Sequence, residues 1–167
     1  MTVAALELRD VMGRFATGVA VVTTKVGDEL HGMTVNSLTS VSLDPPLLLV
    51  CLNSESRTAA AVRERGAFVV NLLSRRQEAT SDRFAKSGAD HFEGLDLQHV
   101  DGLPVIGRGL GHLICEVDRT VPGGDHLIVV GRVVACEARD DAPLVFYRGR
   151  YHDATAPGRE AEIDWYW

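Results

Sequence analysis

Residues 47–53, LLLVCLN, constrain the fold more than any other stretch. Six consecutive apolar side chains leave no polar stripe for a surface helix, and the run is too short for a buried one, so it predicts a strand covered on both faces. Asp44-Pro45-Pro46 sets its start, because proline fixes φ and restricts the residue ahead of it. A strand with two covered faces demands a layered domain with a real core. The 167 residues suffice for one such domain, spanning 1–167, and are too few for two.

Around that strand the period of the sequence changes several times. Leu8, Val11, Met12, Phe15 and Val19 recur at helical spacing and predict an amphipathic helix over 6–17 that ends near Gly18. The β-branched run VAVVTTKV (19–26), the turn GDEL and a returning strand over 31–43 form a hairpin. Beyond the buried strand, Ser54 or Ser56 caps a helix over 57–65 that Gly66 closes. AFVVNLL is a further strand, and Ser74 with Gln77 forms a capping box that opens a helix over 75–86. The strands LQHV, HLICEVDRTV, HLIVVGRVVACEA and PLVFYRGRYH follow, separated by Gly, Pro and Asp. Strands joined by short turns, with only two or three helices between them, predict a mainly antiparallel β-barrel with a few packed helices rather than a doubly wound parallel sheet.

Several functions are excluded by what the chain lacks. A formal net charge of -6 and no block of positive charge argue against a nucleic-acid partner. The N-terminal segment has Glu7 and Asp10 and no basic region ahead of a long apolar stretch, so the expectation is a cytoplasmic protein without signal or membrane anchor. Cys51, Cys115 and Cys136 are odd in number and sit in apolar runs, which suits buried thiols in a reducing compartment. GRGLGH (107–112) misses the dinucleotide spacing, and no phosphate loop, nucleophile elbow or metal-ligand pair is present, so no metal is expected.

Four constellations remain. If 31–43 is one strand, Thr34, Asn36, Leu38, Ser40 and Ser42 share one face, while Met33, Val35, Ser37, Thr39, Val41 and Leu43 share the other. Both faces carry hydroxyls. Either this is a barrel strand with a solvated side, or it is a wall of neutral donors and acceptors for a planar ligand such as a flavin ring. Directly after the buried strand, NSESRT opens a helix with hydroxyls and the permanent charge of Arg57, which is either plain capping or a seat for a phosphate. In PGGDHLIVV a glycine turn delivers Asp125 and His126 to the mouth of an apolar strand, and PLVFYRGRYH is an aromatic, basic strand.

Taken in order, GRFATGVAVVTT, GMTVNSLTSVSLDPPLLLVCLNSESRT, GGDHLIVVGRV and PLVFYRGRY resemble the flavin reductase family, the reductase components of two-component flavin monooxygenases, over residues 8 to 152. The resemblance implies an antiparallel Greek-key split β-barrel. It implies further that Thr34, Val35, Asn36 and Ser37 line the flavin ring and ribityl chain, that Asn53, Ser54, Ser56, Arg57 and Thr58 hold its phosphate, and that Phe84 lies nearby. His126 would then meet the nicotinamide, with Tyr147 and Arg148 at the same mouth. Leu38 stands where the family commonly carries an aromatic. The implied cofactors are FMN or FAD, with NADH, or alternatively NADPH, as hydride donor. The implied partner is a flavin-dependent monooxygenase supplied by diffusion of reduced flavin. Paired subunits are implied as well, and the aromatic ending EIDWYW also predicts a homodimer. Hydride transfer between stacked rings needs positioning rather than a protein acid or base, which accounts for the missing catalytic dyad. A flavin-binding electron carrier and an oxidase of the pyridoxamine-phosphate type on a similar barrel are the competing readings.

Overall fold

The computed structural model describes residues 3–88 and 91–154. Helix α1 (Ala5–Met12) leads into a short strand β1 (Thr17–Gly18) and then β2 (Ala20–Val26), which turns back through Gly27-Asp28 into β3 (Glu29–Val35). After β4 (Thr39–Leu43), the Asp44-Pro45 turn starts β5 (Pro46–Asn53), and Leu43 pairs with Pro46. Helix α2 (Arg57–Arg65) carries the chain to β6 (Ala67–Leu72). A 3-10 turn (Arg75–Gln77) and α3 (Glu78–Ala85) precede the hairpin β7 (Leu97–Val100) and β8 (Leu103–Ile106). The long hairpin β9 (Gly111–Gly123) and β10 (His126–Ala138) and the short one β11 (Leu144–Tyr147) and β12 (Arg150–Asp153) complete it.

Seven strands form one antiparallel sheet in the order β3-β2-β6-β9-β10-β5-β4, a Greek-key path in which β9 and β10 fill the gap between β6 and β5. Its two edge strands, β3 and β4, are consecutive in the chain. Only residues 36–38 separate them, and four Cα steps reach at most about 14 Å. A flat seven-stranded sheet would hold its edges roughly 29 Å apart at about 4.8 Å per strand. The sheet must therefore curl until its edges approach, leaving a barrel split along one seam.

The inside of the curl is the main core. Leu48, Val50 and Leu52 of β5 meet Leu127 and Val129 of β10 and Val22, Phe68 and Val70 from the far wall, while Ala59 and Val62 of α2 close one end. In β5, alternate residues 47, 49 and 51 are only half-buried, so one face is fully covered rather than both as the apolar run suggested. Outside the curl, α3, β8 and β11 cover β2 with Val21, Leu73, Phe84, Ile106 and Leu144. Asn71 pins this outer layer down. It is 1% exposed, and its amide donates to the Val21 carbonyl and the Thr23 hydroxyl at 3.0 Å each, while its oxygen accepts from Ile106 N at 2.8 Å.

Four further expectations change. The first helix stops at Met12, since Gly13 takes its C-cap and residues 13–16 already feed β1; none of its residues is buried. The helix over 75–86 is a 3-10 turn followed by α3, with the expected Ser74–Gln77 box spent on the turn, where Gln77 Oε1 accepts from Ser74 N at 3.1 Å. PLVFYRGRYH is a hairpin, with Arg148 and Gly149 both at positive φ in its turn. Of the cysteines only Cys115 is buried, its thiol pushed up to about 12 by burial, whereas Cys51 is half-buried and Cys136 exposed. Among the described residues no helix is long and apolar enough to cross a membrane.

Candidate functional site

The polar segment 31–43 is the seam of the barrel, not one strand. Strand pairing stops at Val35 and resumes at Thr39, because here the chain must cross from one sheet edge to the other. The two-faced wall expected of a continuous strand is therefore absent. Thr34 Oγ1 donates to the Ser81 carbonyl of α3 at 2.6 Å, and Val35 is buried in the core. Ser37 Oγ accepts from Cys51 N at 2.9 Å and donates to Cys51 O at 3.1 Å, so it staples the seam to β5 in place of a ladder. Leu38 packs against the inner core. What remains to face a ligand is the exposed Asn36 side chain and the main-chain groups of 36–38, which belong to no strand ladder.

At the far end of β5 the NSESRT segment forms the start of α2. Ser56, not Ser54, is the cap: its Oγ accepts from Ala59 N at 3.1 Å and donates to Asn53 O at 2.7 Å. Asn53 Oδ1 accepts from Glu55 N at 2.9 Å, and Ser54 N is used by the Asp125 carbonyl at 3.1 Å. These bonds fix the turn and leave the N–H groups of Arg57 and Thr58 ahead of the first intrahelical acceptors. Thr58 is buried, no acid stands in the first turn, and Arg57 Nη2 donates to the Gly88 carbonyl at 2.6 Å. A helix start with a cation and no carboxylate in its first turn can hold an anion such as a phosphate, although Glu55, one residue ahead of the cap, borders the same cleft.

This helix start opens onto a cleft of about 1010 Å³ bounded by residues 29–33 of β3, the start of α2, and the end of α3 with residues 91–93. Phe84 lies under it, 2% exposed, with Phe92 edge-on at a centroid distance of 4.9 Å. Gly32 makes that packing feasible: a Cβ there would stand 2.7 Å from Phe84 Cε1 and 3.2 Å from Phe92 Cζ. Sequence reasoning named Phe84 but not His31, Lys86, His91 or Phe92, which line the same cleft. Their spacing carries no signal, because only the packing of α3 against β3 brings them to the seat.

His126 opens β10 and pairs with Asn53 in the β5 ladder, so it stands one strand away from the helix start. Its Nδ1 lies 2.7 Å from Asp125 Oδ1, and that hydrogen bond and the imidazole charge hold the Asp125 carboxyl below its ordinary value. Tyr147, at the end of β11, and Arg148, in the turn after it, sit elsewhere within one chain, at the corner of a second sheet. They belong to the sheet β1-β11-β12, which shares no ladder with β10; Tyr147 meets the His152 ring, and Arg148 N donates to Gly13 O at 2.8 Å. Tyr151 of that sheet reaches α3, its hydroxyl 2.8 Å from Ser81 Oγ and donating to Asp82 Oδ1 at 3.1 Å. Burial, aided by the carboxylates of Asp82 and Glu78 and opposed by the Ser81 bond, raises its phenol above the ordinary value.

A split antiparallel barrel with main-chain groups at the seam and an anion seat beside it has the parts needed to hold a flat, phosphate-bearing ring compound. The family comparison names that class: the model of the flavin reductase like domain matches residues 12–155. The chain belongs to this family. It is 42% identical over 160 residues to an NADH-dependent flavin reductase of Rhodococcus, covering 93% of this chain and 89% of that one. It is 39% identical over 147 residues to the reductase subunit HsaB of a flavin-dependent monooxygenase of Rhodococcus jostii, covering 87% and 75%. Among solved structures, an NADH:FAD oxidoreductase of Streptomyces globisporus in complex with NAD and FAD fragments superposes with a TM-score of 0.84 at 35% identity, covering 95% of this chain and 94% of that one.

Proposed function

We propose that this chain transfers hydride from NADH to a flavin and releases the reduced flavin to a flavin-dependent monooxygenase. The observation that carries this is the pairing of His126 with Asn53, which sets a histidine suited to a nicotinamide directly beside a helix start suited to a flavin phosphate. A bound flavin supplies the ring that accepts the hydride. The protein's part would be to bring two rings together, with the seam main chain and Arg57 holding the flavin and His126 meeting the nicotinamide. Neutral amides at the seam suit a ring whose electron density changes with its redox state better than fixed carboxylates would. Purified chain with added flavin should consume NADH; no consumption with NADH or NADPH would leave the electron carrier or the oxidase reading standing.

The hydride donor's site is separable from the flavin's. His126 stands at the rim, its ring oriented by Asp125, and none of the seam residues depends on it for a hydrogen bond. His126→Ala should leave flavin affinity nearly unchanged and lower kcat/KM for NADH about tenfold, the roughly 1.4 kcal/mol of one modest interaction. Stopped-flow reduction of bound flavin, beside flavin titrations on the same variant, reads this. Wild-type reduction at every NADH concentration would return His126 to the role of a turn residue.

The working unit we propose is a homodimer in the cytoplasm. EIDWYW lies outside the described residues, but α1 supplies a reason of its own. Val3, Leu6, Leu8, Val11, Met12 and Phe15, on and beside α1, are each between 56% and 78% exposed, apolar side chains over which nothing packs among the described residues. Gly13 ties its end to Arg148, so this face is continuous with the corner that carries Tyr147. Sedimentation at micromolar concentration should show a dimer, and Leu6→Glu with Val11→Glu should convert it to monomer; a wild-type monomer would sink the proposal.

A further inference from the structure

We propose that Ser37 is a positioning residue: its hydroxyl takes the place of a strand rung, and so holds the crossing at residues 36–38 while leaving the main-chain groups there free for a ring. This rests on the flavin reductase reading and goes beyond it, because the family resemblance would have Ser37 line the flavin itself.

The register shows what the hydroxyl replaces. Strand β4 pairs with β5 as Thr39 with Leu49 and Ser40 with Leu48. Carried two residues past Thr39, the same register sets Ser37 opposite Cys51, yet no pair forms there. In an antiparallel ladder a hydrogen-bonded pair exchanges two bonds, one from each N–H. Both groups that Cys51 would bring to such a rung go instead to Ser37 Oγ, which accepts from Cys51 N at 2.9 Å and donates to Cys51 O at 3.1 Å. One atom that is at once donor and acceptor satisfies this edge of Cys51, and the N–H and carbonyl of Ser37 stay out of the ladder.

On the other side the crossing has lost its neighbour as well. Strand β3 pairs with β2 as far as Val35 with Ala20, and the same register would set Gly18 beside Ser37 and Thr17 beside Leu38. Those two residues pair with Phe146 and Val145 of β11 instead. Residues 36–38 are therefore held by Ser37 Oγ and by the packing of Leu38 on the core, with no ladder on either side. Main-chain groups fixed in place but outside any ladder still call for partners, which the polar edge of a flat ring can supply. Few side chains could replace the serine. Alanine has no hydroxyl, and asparagine splits donor and acceptor over two atoms one bond further out.

Amide exchange followed by NMR on the full chain without flavin reads this arrangement. In the wild type Cys51 N–H should exchange slowly and the N–H groups of residues 36–38 fast, the latter slowing when FMN is added. Ser37→Ala should speed exchange at Cys51 N–H by at least about tenfold. It should also raise the Kd for FMN and for riboflavin alike by about tenfold, because ordering even one residue on binding costs that much. Ser37→Thr keeps the hydroxyl and should restore both values. Slow exchange at residues 36–38 in the flavin-free wild type would overturn the proposal, since those groups would already have partners. Loss of flavin affinity in Ser37→Ala with unaltered exchange at Cys51 would refute it too, and make Ser37 a direct contact of the flavin. Unchanged affinity in that variant would sink it while leaving the reductase reading intact. A wild type that binds neither FMN nor riboflavin would end the functional reading and this proposal with it.

Discussion

Arg57→Ala should weaken FMN and FAD binding by about 10- to 100-fold while leaving the fold intact. The size follows from the bonds lost: a hydrogen bond between a cation and a phosphate contributes roughly 1.5 to 3 kcal/mol, and each 1.4 kcal/mol is tenfold in affinity. The structure adds a reason to expect little damage to folding. Arg57 is exposed, and its one described partner is the carbonyl of Gly88, itself exposed, which water can satisfy when the guanidinium is gone. Riboflavin lacks the phosphate and should bind wild type and variant alike. Equal loss of riboflavin would mean instead that Arg57 shapes the cleft by holding the Gly88 segment against α2.

Asn71→Ala should have the largest effect on stability. Removing the amide leaves Ile106 N–H buried without its acceptor and strips a donor from Val21 O and Thr23 Oγ1. An orphaned buried group costs roughly 1 to 3 kcal/mol, and the void left behind adds to it, so about 2 to 4 kcal/mol is expected. For a chain of this size about 2 to 4 °C is lost per kcal/mol, which gives a Tm drop of about 5 to 15 °C by calorimetry. Strand β8 has no ladder to the main sheet, so side-chain bonds tie it there: Asn71 accepts from Ile106 N, and Thr23 Oγ1 donates to the Pro104 carbonyl. A drop below about 2 °C would show that the packing of Leu103, Val105 and Ile106, with the Thr23 bond, is enough to dock the hairpin.

The strand-rich architecture was readable because β-branched runs alternate with dipeptides such as Gly27-Asp28, Gly124-Asp125 and Arg148-Gly149 that form its turns. Reading failed where the deciding fact is not local. Thr34 to Ser42 is as compatible with a strand as with a crossing, and only the placement of β3 and β4 at opposite sheet edges breaks it in two. Cys136 has apolar neighbours in sequence, yet residues 134–138 lie on a stretch of β10 that no described residue covers. Ser54 and Ser56 looked equivalent as caps until the Asp125 carbonyl took the amide of Ser54. The helix start after Asn53 and the glycine turn ahead of His126 were legible since each is a local motif. The cleft was not, because its walls come from three distant parts of the chain.

The crossing at residues 36–38 has a consequence for how such a protein can diverge. A ligand ring lying there would meet main-chain amides, which every residue except proline supplies in full. Exchanging Asn36 would therefore change one side chain and leave the main-chain groups in place, whereas Leu38 is held also by its packing against the core. Length is another matter, since one residue added or removed between Val35 and Thr39 changes the distance the chain must bridge and shifts Ser37 off Cys51. Selection at this point would thus act on the number of residues more strictly than on their identity.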